Sequence, residues 1–153
     1  MSTSDDLIPV LKKLRLSGIL QTLELRAREA ADDSLAYGEF LFRVLHDEVE
    51  RREAKQLALR LRRASFEHGK TIEDFDFTFN RQLPKAKIIE LATCTFVERR
   101  ENACLIGPAG TGKSHVAQAL GHRACRAGYT VLFIETSQML RELRAARADH
   151  SFE

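Results

Sequence analysis

Gly107-Pro108-Ala109-Gly110-Thr111-Gly112-Lys113-Ser114 spells G-x-x-x-x-G-K-[ST] without a gap. The chemistry of that spacing is phosphate binding. Glycines at 107, 110 and 112 let the backbone curl with its N–H groups turned inward, a path that side chains obstruct. A helix opening at Lys113 would aim its N-terminal N–H groups and the positive end of its dipole at the same point. Lys113 is placed to reach the β- and γ-phosphates of a nucleoside triphosphate, and the Ser114 hydroxyl to ligate Mg²⁺. The alternative is a glycine-rich turn that binds nothing. The surrounding order of apolar run (Ala103 to Ile106), loop, lysine, hydroxyl and helical pattern favours the phosphate site.

Hydrolysis asks for more. P-loop ATPases place an acidic residue at the end of a later strand to hold Mg²⁺ and orient water. The 39 residues after Ser114 hold no apolar run ending in Asp or Asp-Glu. Glu135 closes Val131-Leu132-Phe133-Ile134 and is the nearest imitation, but it reads as a strand end. The expectation is therefore ATP binding without turnover, and a chain that is a fragment.

A second group of residues with chemical potential is a basic island between positions 51 and 63. Arg51, Arg52, Lys55, Arg60, Arg62 and Arg63 are opposed there only by Glu53. On a helix these six could neutralise DNA phosphates. They could equally form a solvated face paired with Asp47, Glu48 and Glu50 one turn earlier, which is the preferred of the two readings. Net charge is only +2 and does not by itself mark a nucleic-acid binder. Cys94, Cys104 and Cys125 lack zinc-ligand spacing and read as reduced packing thiols of a cytoplasmic protein. His46, His68, His115, His122 and His150 are scattered, and no metal site is expected of them. There is no apolar run long enough to span a membrane and no basic-apolar leader.

These residues need elements to hold them. Leu7, Leu11 and Leu14 mark one helix and Leu20, Leu23, Ala27 and Ala30 a second, with Ser17-Gly18 between. Asp32-Asp33-Ser34 is a turn before a long third helix whose expected apolar face is Phe40, Leu41, Val44, Leu45 and Val49. Phe75, Phe77 and Phe79 alternate with polar residues, which predicts an extended connector anchored by its rings. Pro84 opens a short helix to Leu91. After the loop, Val116, Leu120 and Ala124 predict a buried helix edge ending at Gly128, a C′ glycine. Thr130 to Glu135 predicts a buried strand, and Met139, Leu140 and Leu143 a last helix. Strand, loop, helix, strand, helix is the opening of a parallel α/β nucleotide fold.

With those motifs in place, the chain resembles the N-terminal part of an IstB-like ATPase, the helper of a bacterial insertion-sequence transposition system. It is similar more distantly to the DnaC helicase loaders. The resemblance runs through LKKLRLSGIL, Glu-Arg-Arg-Glu at 50–53, TIEDFDF, ELAT at 90–93, ERRENACLIGPAGTGKSH and ALGHRACRAGYTVLFIET. It implies an α-helical N-terminal region followed by a truncated α/β P-loop NTPase (AAA+) domain with an incomplete parallel sheet. The division is 1–70 for the helical domain, 71–100 for the aromatic connector and linker helix, and 101–153 for the truncated core. It also implies ATP and Mg²⁺ as cofactors, DNA and a transposase as partners, and homo-oligomers in the full-length family. In AAA+ proteins later strands lie between the P-loop strand and the next, so the α/β half is expected to be loose. A helicase-loader fragment and a non-enzymatic remnant or interaction module stay open as alternatives.

Overall fold

The computed structural model describes residues 3–67, 69–80 and 83–148, with side chains from Asp6 onward; His68 and His150 lie outside them. Seven helices are formed: α1 (Thr3–Lys13), α2 (Ser17–Asp32), α3 (Tyr37–Ala64), α4 (Lys85–Leu91), α5 (Thr95–Glu98), α6 (Lys113–Arg126) and α7 (Thr136–Ala148). The chain divides into two units, Met1–Gln56 and Leu57–Glu153, and the division falls within α3.

In the first unit Leu11, Ile19 and Val44 are buried together, with Leu16, Leu20, Leu23 and Phe40 packed on them. Burying Leu11, Ile19 or Val44 is worth about 1.5–3 kcal/mol each. The helix ends are set by backbone geometry. Arg15 takes a left-handed φ of 56°, which returns Leu16 N–H to Leu11 C=O at 2.9 Å and Arg15 N–H to Lys12 C=O at 3.1 Å. That pair of bonds is a Schellman closure built without glycine.

The face of α3 used in this unit is only partly the expected one: Val44 and Phe40 are in the core, but the others are not. Leu41, Leu45 and Val49 are 55%, 47% and 48% exposed, whereas Glu48 is only 4% exposed. The reason lies at the start of α2. Glu48 Oε2 accepts Gly18 N–H at 2.5 Å and Ile19 N–H at 3.4 Å, supplying the cap that Leu16 cannot give. Burial pushes the Glu48 carboxyl up, but Arg52 and these two N–H groups bring it below its ordinary value. Beside it Arg26 grips Asp47 through two bonds of 2.9 and 2.8 Å and holds that carboxyl at about 2.

In the second unit Phe75, Ile88, Ala92, Val116 and Leu120 form the core, flanked by Ile72, Phe77, Leu83, Leu91 and Leu105. Helices α4 and α6 begin and end where the sequence places them, and Val116 and Leu120 are 2% and 8% exposed. Gly128 at φ +99° closes α6: its N–H meets Cys125 C=O at 3.1 Å, and Tyr129 N–H meets Ala124 C=O at 3.0 Å.

The expected parallel sheet is not present: among the described residues there is no strand. Residues 103–106 and 130–135 do run outside helices, but they do not pair with each other, and α6 intervenes between them in sequence. A strand is defined by its ladder partner, so an apolar β-branched run without one stays an irregular segment. Ile106 is accordingly 90% exposed, and Leu132, expected in a buried strand, is 70% exposed. The segment 130–135 is tied down through Phe133 N–H to Ala64 C=O at 3.1 Å. The Phe75–Phe79 stretch is a series of turns instead of an extended connector, with Phe75 buried and Phe79 69% exposed. Cys94 and Cys125 are buried thiols, pushed up by burial, but Cys104 is exposed. Helix α7 leaves Met139, Leu140 and Leu143 at 40%, 46% and 41% exposure, so its apolar stripe is uncovered among the described residues.

Candidate phosphate-binding site

The loop between Leu105 and α6 is built around two glycines in left-handed backbone. Gly110 has φ +77° and Gly112 φ +85°, and Gly112 occupies the N-cap of α6. No side chain caps this helix, and its first turn carries no acidic residue. Val116 N–H is the first to bond back, to Gly112 C=O at 2.9 Å. The N–H groups of Lys113, Ser114 and His115 therefore precede the helical ladder and stay available to an anion.

Lys113 folds across the loop. Its Nζ donates to Pro108 C=O at 2.5 Å and lies 3.4 Å from Thr111 Oγ1, which itself donates to Pro108 C=O at 2.9 Å. The ammonium thus spans the mouth of the curl formed by Pro108, Ala109 and Gly110. Gly107 to Gly110 and Ser114 are exposed, while Thr111, Gly112 and Lys113 are half-buried. Uncapped N–H donors, an unopposed cation and glycine turns fit a triphosphate. Ser114 stands at the first turn of α6, where its hydroxyl would ligate Mg²⁺ arriving with that triphosphate. The described residues contain no cluster of three His, Cys, Asp or Glu suited to holding a metal alone. A cavity of about 200 Å³ adjoins Lys113 and Thr111, walled by Leu83, Ile88, Leu91 and Leu105.

Glu135 sits just before α7. Its carbonyl accepts Met139 N–H at 2.9 Å and its carboxylate takes Ser137 Oγ at 3.5 Å, so it serves the start of that helix.

The six cations of the basic island have unlike surroundings. Arg51 donates to Ser17 Oγ, and Arg52 Nε donates to Glu48 Oε1 at 2.7 Å. Arg60 Nη1 approaches Cys125 C=O at 3.5 Å. Lys55, Arg62 and Arg63 are exposed. Of the three acids named as partners, Glu48 pairs with Arg52, Asp47 turns to Arg26, and Glu50 meets His46 at 3.4 Å.

Sequence reasoning did not find what holds α6 from behind. His115 Nε2–H donates to Thr71 C=O at 3.1 Å, and the Phe75 ring stands edge-on to the His115 ring with centroids 4.9 Å apart. Arg126 and Arg123 reach Glu73 at 2.7 and 3.8 Å. The fully buried Gln118 accepts Glu67 N–H at 2.8 Å, and Phe66 stacks on His122 at 4.4 Å. Polar residues at 115, 118 and 122, spaced three and four apart on an amphipathic helix, were the available signal.

Comparison with known proteins adds to this geometry. The family model described as IstB-like ATP binding protein matches residues 9–153. The chain belongs to this family. A candidate ATP-binding protein of an insertion sequence in Mycobacterium tuberculosis is 46% identical over 142 residues, covering 93% of this chain and 57% of the relative. A counterpart in the IS21 insertion sequence of Pseudomonas aeruginosa is 37% identical over 144 residues, covering 94% and 54%. A third, from Geobacillus stearothermophilus, is 32% identical over 141 residues, covering 92% and 56%. The IstB-like chain thus spans about half the length of the curated relatives it matches. No helix among its described residues is long and apolar enough to cross a membrane.

Proposed function

We propose that this IstB-like chain holds the triphosphate of Mg-ATP on Gly107–Ser114, as the nucleotide-binding portion of an insertion-sequence transposition helper. The observation that carries the reading is the uncapped, acid-free N-terminus of α6 with Lys113 laid across the loop. The backbone N–H groups of the curl bind phosphate oxygens, Lys113 exchanges its Pro108 contact for the β- and γ-phosphates, and Ser114 meets Mg²⁺. A charge-assisted contact of this kind is worth roughly 1.5–3 kcal/mol, so Lys113→Ala is expected to weaken Mg-ATP about tenfold to 150-fold. Titration calorimetry showing equal affinity in both proteins refutes the assignment. The relatives' names, all taken from insertion sequences, support transposition over helicase loading.

Duplex DNA is the partner that fits this role, together with a transposase. Lys55, Arg62 and Arg63 are exposed, whereas Arg51 bonds Ser17 of α2 and Arg52, itself exposed, pairs with the Glu48 that caps α2. Anisotropy titration of a labelled duplex is expected to lose affinity with rising salt, at about 0.9 counterions released per phosphate neutralised. Charge reversal at all three positions should remove that dependence. Unchanged binding in the triple variant returns α3 to a solvated face.

A further inference from the structure

We propose that Phe75 and His115 are positioning residues of the phosphate loop, acting through Gly112 and the first turn of α6. The proposal rests on the triphosphate reading above and adds to it a part of the chain far from the loop in sequence. Gly112 is where the loop becomes a helix, and its left-handed φ of +85° sets the direction in which the first N–H groups of α6 point. The Phe75 ring lies directly against it. A Cβ at position 112 would come within 3.1 Å of Phe75 Cε2 and 3.2 Å of Cζ, closer than side chains ordinarily pack. The ring is 9% exposed and touches Ile88, Ala92, Val116 and Leu120 in the core, so it is itself held in place. Packed this way, Phe75 is a backstop: Gly112 cannot settle toward the core while the ring is there.

His115 fastens the same device. Its Nε2–H bond to Thr71 C=O fixes the segment carrying Phe75 to the first turn of α6. That segment is stiffened internally, since Thr71 Oγ1 bonds Asp74 Oδ2 at 2.5 Å and receives Asp74 N–H at 3.2 Å. Glu73 anchors it to the far end of α6 through Arg126. Its carboxyl lies below the ordinary value, chiefly through its own backbone N–H, with Arg126 adding to the effect. Residues 71–75 are thus a brace running beside α6, and the phosphate-facing N–H groups inherit its rigidity. Hydrogen bonds to phosphate weaken steeply with misdirection, so loosening the brace lowers affinity without removing any ligand-binding group.

The test uses the full chain, calorimetric titration with Mg-ATP and with inorganic tripolyphosphate, and thermal melting of each variant. Phe75→Leu is expected to weaken both ligands about tenfold. Leu120→Val, in the same core cluster but two turns along α6 from Gly112, should lower the melting temperature comparably while leaving both affinities within about twofold. His115→Ala should weaken both ligands, and His115→Gln, which keeps an N–H donor, should restore most of the loss. Equal affinity losses in Phe75→Leu and Leu120→Val at equal melting temperature would show that Phe75 is only core, and overturn the proposal. So would unchanged affinities in Phe75→Leu and His115→Ala while Lys113→Ala still loses binding. If Lys113→Ala binds as wild type does, the triphosphate reading itself fails and this proposal falls with it; that result is distinguishable from the others. Should Phe75→Leu not fold, the His115 pair decides alone.

Discussion

Gly18→Ala offers a sharp test of how α2 meets α3. On intrinsic propensity the change should help, because Ala is favoured over Gly in a helix by about 1 kcal/mol. Here the added Cβ would stand 2.8 Å from Glu48 Oε2, 2.9 Å from Glu48 Cα and 3.0 Å from Asp47 C=O. Two of those three atoms are backbone, so rotating a side chain away does not relieve the clash; the helices must separate. Overpacking of this kind costs about 1–3 kcal/mol. Separation also stretches the 2.5 Å bond from Gly18 N–H to a carboxylate that is almost wholly buried, worth about 1.5–3 kcal/mol. Less the propensity gain, the net loss is about 1.5–5 kcal/mol, a large share of the 5–15 kcal/mol that a domain typically possesses. Urea unfolding followed by circular dichroism, with hydrogen exchange on peptides from residues 6–56, measures it. A double-mutant cycle with Glu48→Ala should show strong coupling, since Glu48 is the group Gly18 contacts. A neutral or stabilising Gly18→Ala would refute the reasoning and place α2 farther from α3 than described.

Acid should weaken the first unit through Asp47. Its folded value of about 2 lies below the roughly 3.9 of an unfolded Asp, so its contribution is full above about pH 4 and is lost as pH falls toward 2. Urea midpoints between pH 6 and pH 2.5 should drop for wild type and drop less for Arg26→Gln, which removes the partner; parallel curves refute the pairing. Arg15→Gly should raise the melting temperature by a few degrees, because the left-handed turn after α1 costs a non-glycine residue about 1–2 kcal/mol, part of which glycine's freedom in the unfolded chain offsets. Amide exchange should be slow in the interior of α6 and fast at 103–106 and 130–132, with Phe133 N–H the slower exception. Slow, uniform exchange across both runs would show a sheet that the structure lacks.

What could be read from the residues divides by the range of the interactions involved. The glycine turn before α6, α4 and α6 itself were legible because local rules set them: Pro84 at a helix start, glycines where φ must be positive, Gly128 as a C′ residue, and Val116-Leu120-Ala124 at helical spacing. The sheet was not, because Thr130–Glu135 has strand composition and strand composition does not create a neighbour. The α3 face was misread for another reason. Leu41, Leu45 and Val49 satisfy a helical period as well as Phe40 and Val44 do, and a buried Glu48 becomes reasonable only once the uncapped start of α2 is beside it. Arg15 and Arg100 end their turns in left-handed backbone, where a search for glycine finds nothing. The support behind Gly112 escaped notice because Phe75 looked like one member of an alternating trio, yet only that ring is buried.

The way α6 is held has a consequence for how the chain emerges from the ribosome. Most of its partners come earlier in the sequence: Phe66 against His122, Glu67 on Gln118, Thr71 on His115, Glu73 on Arg123 and Arg126, and Ile88 and Ala92 in the core. Synthesis runs at about 5–20 residues per second, and N-terminal segments settle first. By the time Arg126 leaves the exit tunnel these partners have already been made, and α6 can dock as it appears. Its first turn, with Gly112 at the N-cap, is then shaped during translation.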